Sequence, residues 1–271
     1  MSSIASASRP IPADRVRQVA VIVGAVVMLV GAVVGSGFVG GTPIPEVAGG
    51  ALGPDATLLA PAGPAFAIWS VIYAGLICYA VWQALPSQAA RERQRRAGYW
   101  VLASLLLNAA WILSVQAGLL ALSVVVIVAL LVELIATFGV LRADPGASTA
   151  DAVLLDGTFG LYLGWVMVAT VANIAAALQA AGFRGFGLSA HAWAIALLCV
   201  FTVIACALAF WDRGRLAPAV AAAWGLAWIG VSRLAGSLAS PPVAVTAFAA
   251  AALVLLVTVA VRITRSPQRR G

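Results

Sequence analysis

Residues 101–141 read VLASLLLNAAWILSVQAGLLALSVVVIVALLVELIATFGVL. The stretch lies in two apolar runs, 98–116 and 119–141, parted only by Ala117 and Gly118. A hydrocarbon core of ~30 Å is crossed by about 20 apolar residues in a helix, so each run is long enough to span a bilayer. A two-residue link forces the pair into an antiparallel hairpin. From 101 to 141 the only charged residue is Glu133, and the hairpin also carries an amide, Asn108, one turn from Trp111. An unpartnered amide in hydrocarbon costs roughly 2–7 kcal/mol, which makes Asn108 a place to look for function.

The whole chain follows the hairpin. Of its 271 residues 63% are hydrophobic and 9% charged, against about 25% charged in soluble domains. With a mean hydropathy of +1.05, the fold class is all-α: a polytopic membrane helix bundle. Eight stretches qualify as spans: 19–40, 64–84, 98–116, 119–141, 153–181, 191–211, 217–235 and 243–262. Pro64, Pro218 and Pro242 stand at first-turn positions, where a missing N–H does no harm, and Ser189 is placed to cap the sixth helix. Arg9, Arg15 and Arg17 precede an apolar run too long for a cleavable signal, so it reads as an uncleaved first helix.

Every base is arginine, and the net charge is +7. A pI near 10.4 invites a nucleic-acid reading, but the bases sit between apolar runs, where topology signals belong; no nucleic-acid partner is expected. With the N-terminus inside, 14 of the 16 arginines fall on inner segments, and only Arg184 and Arg233 fall outside. The expectation is a multi-pass protein of a bacterial-type plasma membrane with both termini cytoplasmic. The segments are then a cytoplasmic tail over 1–18, a five-helix bundle over 19–181, three further helices over 182–262 and a basic cytoplasmic tail over 263–271. Cys78, Cys199 and Cys206 lie inside apolar runs without metal-ligand spacing and read as small hydrophobes. Gly31 and Gly35, and Gly160 and Gly164, have the small-xxx-small spacing of close helix contacts, serving packing within the monomer or, alternatively, a homodimer seam.

At 1.5 Å rise per residue, several aromatic and amide side chains fall at matching depth, from the midplane to the outer leaflet. Trp69 and Tyr73 share a face of the second helix, Asn108 and Trp111 sit in the third, and Tyr162, Trp165, Ala169 and Asn173 form one stripe of the fifth. This is the layout of a pocket lined by π-surfaces with a few polar anchors. The competing reading of the amides is an interhelical hydrogen bond, worth ~0.6 kcal/mol in membranes. Trp82, Trp100, Trp193 and Trp211 lie at helix ends and read as interface belts, and Trp224 and Trp228 face lipid or pack.

Three of these elements resemble the TspO/MBR family, the tryptophan-rich sensory proteins related to the translocator (peripheral benzodiazepine receptor) protein. Residues Pro64-Ala65-Phe66-Ala67-Ile68-Trp69-Ser70-Val71-Ile72-Tyr73 resemble its F-x-x-[VI]-W-[ST]-x-[LI]-Y. Leu107-Asn108-Ala109-Ala110-Trp111 is similar to its L-N-x-x-W, and Tyr162-Leu163-Gly164-Trp165 with Ala169 and Asn173 to its Y-L-x-W-V-x-x-A-x-x-x-N. Gly35-Ser36-Gly37-Phe38 resembles its first-helix end. The resemblance covers 19–181. It implies a five-helix bundle whose pocket takes a porphyrin, heme or sterol-like ligand, with sensing, signalling or transport as the role. Two departures stand out. The family's first loop, W-Y-x-x-L-x-K-P, which helps cover the pocket, is replaced by Gly41-Thr42-Pro43-Ile44-Pro45, and no cholesterol pattern follows the fifth helix.

Glu133 lies on the cytoplasmic side of the fourth helix without a base at its depth, and an intramembrane acid is a functional candidate: proton coupling is one reading and a satisfied structural acid the other. Asp156, near the inner end of the fifth helix, is placed to reach interfacial water or Arg142. His191 opens the sixth helix at the surface, where a lone His is solvated. One His, no paired acids and no HExxH or GxSxG leave no catalytic cluster, so neither an enzyme nor a required cofactor or metal is expected. The expected function is a sensory or carrier protein binding a flat hydrophobic small molecule through Trp69, Tyr73, Asn108, Trp111, Tyr162, Trp165 and Asn173. Its partners are that molecule and the lipid bilayer. The alternatives are a small-solute or proton-coupled transporter using Glu133, and a membrane scaffold.

Overall fold

The computed structural model describes residues 9–37, 42–144, 146 and 148–265; the Phe38 of the first-helix resemblance, residues 1–8 of the first tail and 266–271 of the last lie outside them. Eight long helices follow one another: α1 (Pro12–Gly35), α2 (Ile68–Ala84), α3 (Glu92–Gln116), α4 (Leu120–Ala143), α5 (Thr158–Ala180), α6 (Ala190–Trp211), α7 (Leu216–Ser232) and α8 (Pro241–Arg265). Seven of these segments are long and apolar enough to cross a membrane. The other, α7, has 17 residues, roughly 26 Å of helix, and runs buried between α5 and α8. The chain is a multi-pass membrane protein. Valines of α1 and α4, such as Val19, Val30, Val125 and Val132, are exposed on its outside, the place of lipid.

Local chemistry sets the helix ends. α1 begins at Pro12 rather than at residue 19, because proline is preorganised for a first helical position and the Asp14 carboxylate accepts the Ile11 N–H at 3.0 Å. Residues 12–18 are therefore helix rather than tail, with Asp14, Arg17 and Gln18 buried. Gly118, at φ +70°, makes the tight α3–α4 turn that a side chain would strain. The Ser189 hydroxyl caps α6 by accepting the Ala192 N–H at 3.2 Å. α5 is entered through a π-helical stretch, Asp151–Gly157.

Five helices close a ring: α1 packs on α3 and α2, α3 on α4, α4 on α5, and α5 on α2. α7 then lies along α5, α8 on α7 and α6 on α8. Small residues make the α5–α7 contact. A Cβ on Gly164 would stand 2.1 Å from the Pro218 carbonyl oxygen, and one on Gly160 2.7 Å from the Ala217 Cβ. Gly35 is likewise pressed on Ile112. Packing within the chain therefore uses both glycine pairs.

The arginine-rich end is tied by ion pairs. Asp14 holds Arg95 (2.7 Å) and Arg17 (3.3 Å); Asp151 holds Arg91 (2.9 Å) and Arg93 (3.5 Å). Asp156 pairs with Arg93 (2.7 Å) and Arg215 (2.9 Å), not with Arg142. The Arg142 guanidinium instead lies 4.6 Å from the centre of the Trp211 ring and donates to the Trp211 carbonyl. Arg93 and Arg215 both also reach the Leu141 carbonyl, so one network joins α3, α4, the start of α5 and the start of α7. Cys78 and Cys199 are exposed on helix faces and Cys206 is half-buried; all three are free thiols.

Candidate functional site

The opposite end of the ring holds the aromatic residues singled out by the sequence. Helical spacing puts Trp69 and Tyr73 one turn apart, and their rings stack at 5.2 Å and 20°. Trp69 is the hub. It lies 6.3 Å from Trp111 at 27°, and meets Tyr162 (5.9 Å) and Trp165 (6.2 Å) edge-on. Phe66, one turn before Trp69, closes the set by meeting Trp165 edge-on at 5.8 Å. Edge-on and offset rings in this range are favourable pairings. Phe66 belongs to the element quoted from the sequence, and its i−3 spacing to Trp69 was the signal that marks it as part of this wall.

Polar groups thread the aromatic set. The Trp111 Nε1–H donates to Asn173 Oδ1 at 2.8 Å, and Asn173 Nδ2 donates to Ser123 Oγ at 3.0 Å. Asn173 thus ties α3, α4 and α5 together. Ser123, at the start of α4, drew no notice in the sequence, because a lone serine in an apolar run carries no pattern. Asn108 Oδ1 accepts from the Tyr73 hydroxyl at 3.3 Å. Trp165 Nε1 has no partner, and Asn108 Nδ2 and the Tyr162 hydroxyl reach only each other, outside good hydrogen-bond geometry. All three residues are at most 1% exposed. Buried polar groups are nearly always well paired, so these under-satisfied ones gathered in one place make it the candidate site.

Trp69, Trp111, Trp165, Ala169 and Asn173 line a cavity of about 40 Å³. Tyr73, Asn108 and Tyr162 lie behind its wall rather than on it. Its roof is the segment 42–62: Ile44, Ala51, Leu52, Thr57, Ala60 and Pro61 complete the lining. A different sequence thus does the covering that the family's first loop does. Side chains of the bundle hold the roof by its backbone. Gln116 donates to the Thr42 carbonyl (2.6 Å), Gln179 to that of Ala56 (2.6 Å) and Arg233 to that of Pro54 (2.8 Å). The Ala62 N–H donates to the Trp228 carbonyl at 3.2 Å, and the Trp224 indole to that of Ala65 at 2.9 Å. Trp224, though 39% exposed, is thus tied to the entry of α2 by its indole, and half-buried Trp228 holds the roof by its carbonyl: α7 fastens both.

Glu133 is 7% exposed. One carboxyl oxygen accepts from the Thr137 hydroxyl and the other has no partner. Along α4, Glu133 follows Ser123 toward Arg142, so it lies beyond the aromatic set, toward the arginine-rich end. His191 is exposed. Among the described residues no three His, Cys, Asp or Glu side chains gather to hold a metal.

No curated protein and no solved structure matches the chain. A family model described as TSPO-like protein does, over residues 18–260. That span takes in α6, α7 and α8 as well as the ring that carries the three motifs. With the match over most of its length and the ring of tryptophans and amides in place, the chain belongs to the TSPO-like protein family.

Proposed function

We propose that the protein is a tryptophan-rich sensory or carrier protein that takes a flat hydrophobic molecule, a porphyrin, heme or sterol-like compound, between Trp69, Trp111 and Trp165. The observation that carries this is the aromatic cavity, with the unpaired Trp165 Nε1 at its wall and the under-satisfied Asn108 Nδ2 and Tyr162 Oη behind it. Rings supply broad apolar contact, and the unpaired indole N–H of Trp165, a residue of the cavity wall, rewards a ligand that accepts from it. At about 40 Å³ the closed cavity is far below the ~300–1,000 Å³ of small-molecule sites. Binding therefore opens the roof: segment 42–62 lifts and the ligand takes the place of Ile44, Leu52 and Pro61 on the rings. The arginine-rich end faces the cytoplasm by the positive-inside rule, so the roof faces outward.

The test is quenching of intrinsic tryptophan fluorescence by protoporphyrin, heme and a sterol in wild type, Trp165→Phe and Asn108→Ala. Saturable quenching weakened by either substitution is expected. Absence of saturation, or equal quenching in all three proteins, refutes the proposal.

A second function is favoured by the half-satisfied carboxyl of Glu133: proton-coupled movement of a small solute. It requires pH-dependent uptake into proteoliposomes that Glu133→Gln abolishes, and unchanged uptake in that variant removes it.

A further inference from the structure

A second, larger cleft lies on the other side of α5 at the roof end. Val171, Ile174 and Leu178 of α5 form one wall and Trp193 and Leu197 of α6 the other, with Leu59 of the roof at the back; it measures about 430 Å³. That is within the ~300–1,000 Å³ of small-molecule sites and about ten times the aromatic cavity. Its mouth opens beside Leu178, Phe183 and Leu188, apolar side chains exposed on the outside of the bundle.

The rim is polar and positive. Arg184 lines it, is exposed and makes no hydrogen bond or ion pair among the described residues. The other arginine at this end, Arg233, is fully buried and spent on the carbonyls of Pro54 and Leu238. Arg184 is thus the one exposed arginine of the roof end among the described residues, and it stands where the cleft meets the surface. α6 starts at the same rim, and the free N–H groups of a helix start add positive potential. Thr57 lines the cleft from the roof; it is 6% exposed and its hydroxyl has no partner.

We propose that this cleft holds one anionic phospholipid of the surrounding bilayer, an acyl chain lying between α5 and α6 and the acidic head on Arg184, with the Thr57 hydroxyl free to bond a carbonyl oxygen of the lipid. A cleft with apolar walls open to lipid selects a hydrocarbon chain, and a lone unpaired guanidinium at headgroup level selects negative charge. The site stands apart from the aromatic cavity: Thr57 lies between the two and lines both.

Native mass spectrometry of the full chain, released from micelles doped with phosphatidylglycerol and phosphatidylcholine of identical acyl chains, tests this. Wild type is expected to retain one phosphatidylglycerol, preferred about fivefold, the worth of one arginine at a membrane surface. Arg184→Gln should bring the preference close to one while a lipid is still retained. Ala190→Trp, which fills the mouth from an exposed position, should lose both lipids. Equal retention of the two lipids by wild type, or a preference that survives Arg184→Gln, overturns the proposal, as does retention unchanged by Ala190→Trp. Porphyrin quenching is read separately, so loss of the lipid site leaves the aromatic-site result standing, and the reverse.

Discussion

The two buried amides do different work, and substituting each by leucine separates them. Asn173 is fully engaged: it accepts the Trp111 indole N–H at 2.8 Å and donates to Ser123 at 3.0 Å. Asn173→Leu removes both bonds and leaves the Trp111 N–H without its acceptor, in a side chain 5% exposed. An orphaned buried donor costs about 1–3 kcal/mol, and a polar contact between membrane helices is worth ~0.6 and at most ~1.7 kcal/mol. Ser123 keeps its bond to the Leu120 carbonyl at 2.8 Å and adds little. The expected loss is about 2 kcal/mol. Asn108 makes one long bond, from Tyr73 at 3.3 Å, and buries an under-satisfied Nδ2. Asn108→Leu removes that donor along with the bond, and the hydroxyl it releases belongs to Tyr73, which is only half-buried, so it should cost under about 1 kcal/mol, while weakening ligand quenching. Unfolding in mixed micelles by added dodecyl sulfate, followed by pulse proteolysis, measures both. A Trp111→Phe, Asn173→Leu double-mutant cycle should show a coupling of about 0.6–1.7 kcal/mol. A coupling near zero, or a larger loss at Asn108 than at Asn173, would refute the division of labour.

Three further outcomes follow from the geometry. Gly164→Val, whose Cβ meets the Pro218 backbone at 2.1 Å, should destabilise by at least ~1–3 kcal/mol, while Gly31→Ala, facing Ala109 at 3.5 Å, should be nearly neutral; equal effects in the same unfolding assay would break the α5–α7 packing account. Burial raises the Asp212 carboxyl from 3.8 to about 6, against the lowering effect of the Arg215 and Gly214 N–H groups, so between those values the folded protein holds a proton the unfolded chain has released. Stability must then fall as pH rises from 4 to 6, by up to about 3 kcal/mol from this residue, and Asp212→Asn, which keeps an oxygen for the turn, should flatten that slope in Tm scans; an unchanged slope refutes it. Arg233→Gln removes the bond to the Pro54 carbonyl and should speed amide exchange in residues 50–60 by about tenfold, the equivalent of ~1.4 kcal/mol; unaltered exchange would show that the roof is held otherwise.

Much of this architecture is legible in the residues, because hydrocarbon imposes simple rules. Run lengths and the Ala117–Gly118 link mark the α3–α4 hairpin and the eight helices, and the Trp and Asn spacings put Trp69, Trp111, Trp165 and Asn173 on the walls of one cavity. The sequence pattern is blind where a partner comes from an unrelated part of the chain. Asp156 pairs with Arg93 and Arg215, while Arg142, its nearer candidate in sequence, is taken up by the ring and carbonyl of Trp211. The roof was unreadable because its fit depends on backbone carbonyls offered to Gln116, Gln179 and Arg233, and any sequence has carbonyls. The early start of α1 was readable after all: Pro12 and Asp14 are a helix-start signal that the apolar run overshadowed. The under-satisfied polar atoms around Trp69 are invisible without coordinates, since every asparagine, tyrosine and tryptophan looks alike until its neighbours are known.

The central claim is that the rings around Trp69 are a ligand platform. Its most direct test is protoporphyrin affinity, read from the visible absorbance of the porphyrin, for wild type and Trp69→Leu in lipid nanodiscs. Trp69 touches four of the site's other rings, so removing it should weaken binding at least about tenfold, ~1.4 kcal/mol. Equal affinity in the two proteins would contradict the account.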